Sequence, residues 1–253
     1  MTEEKYQALR VEDISKSFHG VKAANHVSFT LDLGRSMVLI GPNGAGKTTL
    51  FNLITGEIPL DEGRILLFGE DVSKANVQRR SELGLSRTYQ ICNLFKELTV
   101  EENLYLSLKN SVWGKTRGIP EWFLPWESNR IKMDRISEII QEVHLEHLRY
   151  THVKNMSHGE QRQLELGMSL ISDPKIILFD EPMAGLSPTE RVFIGEIIKQ
   201  LCRKKIIMVI EHDIEFALTV TDRIAVLNYG SLIAEGTPSE IQKNGEVQKI
   251  YKI

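Results

Sequence analysis

The feature that most constrains this chain is a glycine-rich segment between an apolar run and a stretch that favours a helix. It reads Gly-Pro-Asn-Gly-Ala-Gly-Lys-Thr over residues 41–48, follows an apolar run ending at Ile40, and precedes residues 49–54. This is the context in which the phosphate-binding loop pattern has structural meaning. The glycines let several backbone N–H groups point into one concavity, and the helix start adds its positive dipole end. The pattern predicts a strand, a phosphate-binding turn and a helix in succession.

Two side chains at the end of this loop indicate which ligand it binds. Lys47 is placed to neutralise charge across the β- and γ-phosphates, and the Thr48 hydroxyl is placed to reach Mg²⁺. A nucleoside triphosphate with Mg²⁺ is therefore the expected ligand. The residues predicted to bind it are Gly41, Pro42, Asn43, Gly44, Ala45, Gly46, Lys47, Thr48 and Thr49.

A second apolar run ends in two carboxylates. Residues 176–179 are Ile-Ile-Leu-Phe, and Asp180 and Glu181 follow them. In α/β sheets, ligands bind in the crevice at the carboxyl ends of the strands. We therefore predict that Asp180 holds Mg²⁺, directly or through water, and that Glu181 acts as the general base toward the water that attacks the γ-phosphate.

The pattern of apolar residues predicts an α/β fold. Residues 9–18 and 27–33 alternate apolar and polar side chains, as half-buried strands of an antiparallel sheet do. Unbroken apolar runs are typical of parallel strands covered on both faces by helices. Four such runs are at 37–40, 176–179, 206–210 and 224–227.

Helices are indicated between these runs by periodicity and by their starts. Two apolar stripes have helical spacing: Ile136, Ile139, Ile140 and Val143, and then Phe193, Ile197, Ile198 and Leu201. Four helix starts carry a Ser/Thr-x-x-Glu capping box, in which the hydroxyl and the glutamate cap free backbone N–H groups. These pairs are Thr99/Glu102, Ser157/Glu160, Ser187/Glu190 and Thr237/Glu240.

Composition argues against some classes of partner. The 31 Lys and Arg residues against 34 Asp and Glu residues give a net charge of −3, so no summed positive field favours nucleic acid or an anionic membrane surface. The first residues carry no apolar signal core, and the purest apolar runs are too short to cross a bilayer. We expect membrane association only through partners.

The two cysteines, Cys92 and Cys202, are interpreted as reduced thiols. A disulfide between them is the open alternative.

A third motif indicates which phosphate-loop machine this is. Residues 157–161, Ser-His-Gly-Glu-Gln, open a capped helix and resemble the signature sequence of ATP-binding cassette (ABC) ATPases, usually Leu-Ser-Gly-Gly-Gln. A helix start with a serine hydroxyl and a glycine is a second anion site. His158 departs from the usual glycine pair.

Other marks of the ABC family follow in order. Gln90 resembles the Q-loop glutamine, residues 184–187 the D-loop, and His212 the switch histidine, while Phe18 lies where the family has its adenine-stacking aromatic. The resemblance implies ATP and Mg²⁺ as cofactors, with Thr48, Gln90 and Asp180 near the metal. It implies catalytic roles for Glu181, His212, Gln90 and Lys47. His144 and His147, at helical spacing, are better explained by a solvated helix face than as metal ligands.

The resemblance implies a P-loop NTPase core with a mixed, largely parallel sheet, an N-terminal antiparallel β-subdomain and an inserted α-helical subdomain. We expect one ABC ATPase domain over residues 1–253. Its β-subdomain and core would take 1–90 and 171–253, and its helical subdomain about 91–170. A segment at 106–130 holds Trp113, Trp122 and Trp126 without sustained periodicity. These tryptophans are interpreted as packing on their own subdomain, with a partner-facing surface as the alternative.

Within the family, four segments resemble ATPases that power uptake of branched-chain, hydrophobic amino acids: residues 87–104, the tryptophan segment, residues 157–168 and residues 181–188. Urea importers are close relatives, and lipopolysaccharide-export ATPases resemble the chain less through the insert. The resemblance implies a head-to-tail dimer, homomeric or with a related ATPase, in which Ser157 and Gly159 of one subunit cap the ATP of the other. It also implies transmembrane permease subunits and a cytoplasmic location on the inner face of the membrane. A non-transport ABC ATPase, such as an iron–sulfur assembly component, and a non-hydrolysing ATP-binding module remain alternatives.

Overall fold

The computed structural model describes residues 7–88, 94–109 and 130–251. Gln90, Cys92 and the three tryptophans lie outside these ranges, so the predictions that concern them stay predictions. The chain divides into two compact units. The first unit comprises residues 1–87, 175–184 and 198–253, and the second comprises 88–174 and 185–197. The prediction of a single domain with an inserted helical part also stays a prediction.

Two sheets form the framework of the first unit. The four-stranded sheet is antiparallel, in the order β2-β1-β4-β5. Its strands are β1 (Gln7–Phe18), β2 (Val21–Asp32), β4 (Glu62–Leu67) and β5 (Glu70–Asp71). The first two confirm the antiparallel strands predicted from the alternating pattern at 9–18 and 27–33.

The six-stranded sheet has the order β10-β9-β3-β8-β7-β6. Its inner strands pair in parallel, and only β10 runs antiparallel, to β9. The four predicted apolar runs are β3 (Met37–Ile40), β7 (Ile176–Asp180), β8 (Ile206–Glu211) and β9 (Ile224–Asn228). Almost all of their residues are buried, which is why their sequences do not alternate. The edges are β6 (Leu85–Arg87) and β10 (Ser231–Gly236), which the apolar pattern does not reveal.

Helices of the first unit complete a core that joins both sheets. Leu50 and Phe51 of α1 pack in one buried cluster with Leu31 of the antiparallel sheet and Leu39 and Met208 of the parallel sheet. The helices are α1 (Lys47–Thr55), α2 (Val77–Glu82), α7 (Ile214–Val220), α8 (Pro238–Lys243) and α9 (Gly245–Tyr251), with the last residues of α6 (Pro188–Cys202). Because α1 follows β3 through the glycine loop, the predicted strand, turn and helix are confirmed.

The second unit is helical. Its helices are α3 (Val100–Lys109), α4 (Arg130–Glu142), α5 (His158–Leu170) and the first part of α6, with short 3-10 turns at Glu146–Leu148 and Val153–Asn155. The predicted stripe from Ile136 to Val143 is buried. A Cβ placed on Gly167 would lie 3.1 Å from Ile139 Cγ2 and 3.4 Å from Leu104 Cδ2, so this glycine allows α3, α4 and α5 to pack closely.

One residue of the second predicted stripe differs from the expected position. Phe193 is 46% exposed, whereas Ile197, Ile198 and Leu201 are buried. The Phe193 ring lies against the ring of His144, with 5.8 Å between centroids.

His144 is the second residue after the end of α4 and is exposed, so it does not lie on a helix face as its spacing suggested. Among the described residues there is no cluster of three or more metal-ligating side chains.

Candidate functional site

The glycine loop of the first unit is held in a shape that only glycine permits. Gly46 is the N-cap of α1 with φ +102°, and a Cβ there would lie 2.2 Å from the carbonyl oxygen of Ala23. At Gly41 a Cβ would lie 2.3 Å from the carbonyl oxygen of Leu227. The Gly230 amide fixes the loop by donating to the carbonyl of Ala45 at 2.9 Å. The close approaches of β2 and β9 therefore require glycine at positions 46 and 41.

Lys47 points back into this loop. Its ammonium donates to the carbonyl oxygens of Gly41 at 2.6 Å and Pro42 at 3.2 Å, and the residue is 6% exposed. Burial lowers the pKa of Lys47, while the charges of Glu181, Asp180 and, more weakly, Glu211 act in the opposite direction. The loop lysine therefore lies within the electrostatic reach of carboxylates at the ends of β7 and β8, as the fold rule for parallel sheets leads one to expect.

The two predicted acidic residues differ in environment. Asp180 ends β7 and is 2% exposed, whereas Glu181 lies one residue beyond, is half-buried, and has φ +47°. The Glu181 amide donates to the carbonyl of Ile210 on β8 at 3.0 Å, and its own carbonyl accepts from Ala184 at 3.0 Å. A left-handed backbone at a non-glycine residue is unusual, and here two hydrogen bonds hold it in place.

Arg87 is a residue of this region to which the sequence assigned no site role. From the edge strand β6, its guanidinium donates to Asp180 Oδ2 at 2.7 Å, to Asn52 Oδ1 at 2.6 Å and to Glu57 Oε1 at 3.1 Å. Asn52 lies on α1 and Glu57 just after it, so Arg87 links the helix of the phosphate loop to the carboxylate that ends β7. In the sequence, Arg87 is noticeable only because it begins the Arg-Thr-Tyr-Gln segment that contains Gln90.

The end of β8 supplies an acid to which the sequence assigned no role, Glu211, and the predicted histidine, His212. Glu211 is fully buried, and its Oε1 accepts from the Met183 amide at 3.0 Å. His212 follows it; its side chain is 46% exposed, and Nδ1 lies 3.7 Å from Glu211 Oε2. Glu211 thus supports the turn after Glu181 and adds negative charge near Lys47. Glu211 is the last residue of an apolar strand, and nothing in the sequence except its place next to His212 indicated a role for it.

Phe18 ends β1 at the tip of the first hairpin. It is 42% exposed, and the Lys16 ammonium lies 5.6 Å from the centroid of its ring. An aromatic face left open to solvent next to a cation is suited to stacking on a nucleotide base.

The second unit contains the predicted signature segment. Ser157 is the N-cap of α5, and its hydroxyl oxygen accepts from the Glu160 amide at 3.3 Å while Glu160 Oε2 accepts from the Ser157 amide at 2.7 Å. The Gly159 amide donates to Glu190 Oε1 at 2.9 Å. The predicted capping box of Ser157 and Glu160 is confirmed, as are those of the other three pairs. The Gly159–Glu190 contact is not apparent from the sequence.

The donor sets fit the predicted ligands. The exposed Thr48 hydroxyl and the Asp180 carboxylate offer the oxygen ligands that Mg²⁺ prefers, and Mg²⁺ is usually held by few protein groups together with phosphate oxygens. The loop amides and Lys47 offer donors and positive charge for phosphates.

A cavity of ≈ 680 Å³ in the first unit is lined by Arg35, Ser36 and Cys202 among others, but by none of the predicted site residues. Gln90 lies outside the described residues.

Comparison with known proteins gives consistent matches over almost the whole chain. The family model of the ABC transporter matches residues 24–184. LivG, the high-affinity branched-chain amino acid transport ATP-binding protein of Escherichia coli (strain K12), is 34% identical over 249 residues, with 96% of each chain covered. The lipopolysaccharide export system ATP-binding protein LptB of the same strain is 32% identical over 246 residues, again with 96% of each covered.

Solved structures agree with this. The ADP conformation of MJ1267, an ATP-binding cassette of an ABC transporter, has a TM-score of 0.83 and 30% identity, and the match covers 97% of this chain and 98% of that one. A nucleotide-free ATP-binding cassette from an ABC transporter has a TM-score of 0.81 and 31% identity, and the match covers the same shares of the two chains. Across the described ranges, no helix is long and apolar enough to cross a membrane.

Proposed function

The chain belongs to the ATP-binding family of ABC transporters, and from that premise we propose that it powers a membrane importer for branched-chain or other hydrophobic amino acids. That it is an ABC ATPase follows from the family and from cassette structures of the same fold. The importer and its solute are proposals, supported by the resemblance of residues 87–104 and 181–188 to this subgroup and by the similarity to LivG.

The observation that carries the proposal is the grouping of Lys47 with Asp180, Glu181 and Glu211 in the first unit. A buried ammonium on a phosphate loop, within the electrostatic reach of three carboxylates at or just after the ends of neighbouring parallel strands, suits phosphoryl transfer, which needs a loop lysine, a carboxylate for Mg²⁺ and a residue that orients water. A module that only stored ATP would not need an acid in the position of Glu181.

In the proposed mechanism the residues position groups and stabilise charge. Lys47 and His212 spread the negative charge of the γ-phosphoryl group, Glu181 orients the attacking water, and Gln90 would lie next to Mg²⁺. Mg²⁺, held by Thr48 and Asp180, would supply further positive charge. Water forms a bond to the γ-phosphorus while the bond to the β,γ-bridging oxygen breaks, and Glu181 accepts the proton of the water.

We propose that the complete site needs two subunits. The first unit supplies the loop, the acids and the histidine, and Ser157 and Gly159 of a second copy, or of a related ATPase, would contact the terminal phosphate. The start of α5 suits this task because the Ser157 hydroxyl, which accepts from Glu160, keeps its own proton to donate. Phe18 would stack on the adenine.

Opening and closing of this dimer is the two-state element through which a transmembrane permease would be driven. The chain would then lie on the inner face of the membrane and be attached through the permease. The similarity to LptB keeps an export role open as the alternative, at nearly the same identity as LivG.

The Glu181→Gln variant tests the catalytic part of the proposal. Loss of the base should lower ATP turnover by at least about 100-fold. The variant should still bind ATP, and the ATP-bound protein should accumulate as a dimer that analytical sedimentation detects. Glu62→Gln, an exposed carboxylate of β4, is the control and should behave like the unchanged protein. Unchanged turnover in Glu181→Gln would exclude Glu181 as the base.

A reconstituted complex tests the transport part. The chain, purified in mild detergent with the permease that it retains, is placed in liposomes, and ATP-driven entry of radiolabelled leucine, isoleucine and urea is compared. Leucine and isoleucine uptake supports the proposal. Urea uptake, outward movement of lipopolysaccharide, or recovery of soluble iron–sulfur factors alone would contradict it.

A further inference from the structure

Glu190 joins the starts of two helices in the second unit. Its Oε2 accepts from the Ser187 amide at 2.9 Å and from the Ser187 hydroxyl at 2.7 Å, which caps α6. Its Oε1 accepts from the Gly159 amide at 2.9 Å, in the first turn of α5. A single carboxylate therefore satisfies free amides at both helix starts.

The Glu190 carboxylate lies close against Gly159. A Cβ on residue 159 would lie 2.6 Å from Glu190 Oε1, so a larger residue here would displace the Glu190 side chain from this position. Hydrogen bonds from the Ser187 hydroxyl, the Ser187 amide and the Gly159 amide lower the pKa of Glu190, and the neighbouring His158 adds to this effect. At neutral pH the Gly159 amide thus faces an ionised carboxylate.

Two other capping glutamates show that this is more than ordinary helix capping. Glu102 and Glu240 each bond through Oε2 to the amide and hydroxyl of their own threonine, Thr99 and Thr237. Within the described ranges, neither accepts from the amide of a second helix. The hydrogen bond from Gly159 to Oε1 therefore distinguishes Glu190 from these two glutamates.

We propose that Glu190 is a positioning residue that holds the Gly159 amide in an internal hydrogen bond, and that it must release this amide when the terminal phosphate of a nucleotide bound by a second subunit approaches. This inference rests on the proposed function. An amide N–H makes one strong hydrogen bond, and a carboxylate and a phosphate at one helix start repel each other. Glu190 therefore opposes closure of the dimer until the nucleotide replaces it.

The Glu190→Gln variant removes the charge and keeps the size of the side chain. In the Glu181→Gln background, the ATP concentration that drives half-maximal dimerisation should fall by about 2- to 5-fold, because a repulsion of the size typical for charges at helix ends is lost. Glu240→Gln is the matched control: it removes the charge from a capping glutamate of α8 and should leave dimerisation as it was.

A second measurement separates this role from simple support of the helices. With Glu181 intact, Glu190→Gln should lower the ATP concentration for half-maximal turnover and leave the maximal rate within about 3-fold. Glu190→Ala, which also frees the amide, should shift that concentration in the same direction. A weaker dimer, or a higher ATP requirement, would mean that Glu190 only supports the start of α5, and no change in either variant would equally overturn the proposal.

Dimerisation of the Glu181→Gln variant with ATP separates a failure of the proposed function from a failure of the Glu190 role. If Glu181→Gln does not dimerise with ATP at all, the proposed function is wrong and the role of Glu190 falls with it. If Glu181→Gln dimerises but the Glu190 variants do not tighten the dimer, the proposed function stands and only the role of Glu190 is wrong.

Discussion

Arg87 and Asp180 form a buried ion pair with 2.7 Å between Nη2 and Oδ2, and their side chains are only 6% and 2% exposed. The two residues end neighbouring parallel strands, β6 and β7. Arg87 also holds Asn52 of α1, so the carboxylate proposed for Mg²⁺ and the helix that carries the phosphate loop share one guanidinium.

Replacing Arg87 by Met should destabilise the protein strongly. The change removes the cation from a buried carboxylate, and such a loss typically costs about 3–5 kcal/mol of the free energy of unfolding. Urea denaturation measures it. Arg79→Met is the control, because the Arg79–Glu70 pair is exposed and should contribute little. Equal effects of the two substitutions would show that the buried pair has no special weight.

Arg80 should be needed for stability although it takes no part in the chemistry. It is 2% exposed and donates to the carbonyls of Leu53, Ile54 and Ala75, which closes the C-terminal end of α1. Burial lowers the pKa of Arg80 to about 10, so it remains charged at neutral pH.

Arg80→Met should therefore leave buried carbonyls without donors and lower the free energy of unfolding by about 2–4 kcal/mol. Arg80→Lys keeps the charge but loses most of the donors and should fall between Arg80→Met and the unchanged protein. The stabilities are compared in urea at pH 7, and a fully stable Arg80→Met would refute the capping role.

Gly46→Ala should abolish nucleotide binding. The added Cβ would lie 2.2 Å from the carbonyl oxygen of Ala23, and φ +102° is strained for any residue with a side chain. Gly34→Ala is the matched control, since Gly34 also has positive φ but has nothing within 4 Å of an added Cβ. Of the two variants, only Gly34→Ala should bind a fluorescent ATP analogue in a titration. Thermal melting should show that Gly34→Ala loses only about 1–2 kcal/mol of its free energy of unfolding.

Cys202 should react slowly with alkylating reagents. Burial raises the pKa of this thiol from 9.0 to about 11. At pH 8 the thiolate fraction is therefore about 100-fold smaller than for a thiol of ordinary pKa, and the rate should rise until the pH reaches the raised pKa. Iodoacetamide labelling followed by mass spectrometry resolves Cys202 from Cys92, and urea should restore the ordinary rate. Rapid labelling of the folded protein at pH 8 would contradict the raised pKa.

Local patterns predicted most of the parallel sheet and the helix starts. The four apolar runs are strands because residues covered on both faces need no polar positions, and all four capping boxes form because their partners lie three residues apart. The edge strands β6 and β10 were not apparent, since β6 has three residues and every residue of β10 is half-buried. Phe193 follows the helical period but is exposed, because periodicity gives the face of a helix and not what covers it.

The sequence by itself determined the phosphate loop, its lysine and the acids at the end of β7, because these groups lie within a few residues of one another or at the ends of recognisable strands. Only the tertiary structure decided that Arg87 holds Asp180, that Arg80 closes α1, and that Glu190 takes the amide of Gly159. Arg87 and Asp180 are 93 residues apart, and Gly159 and Glu190 are 31 apart. Contacts of this kind arise from the path of the backbone between elements, which no local pattern encodes.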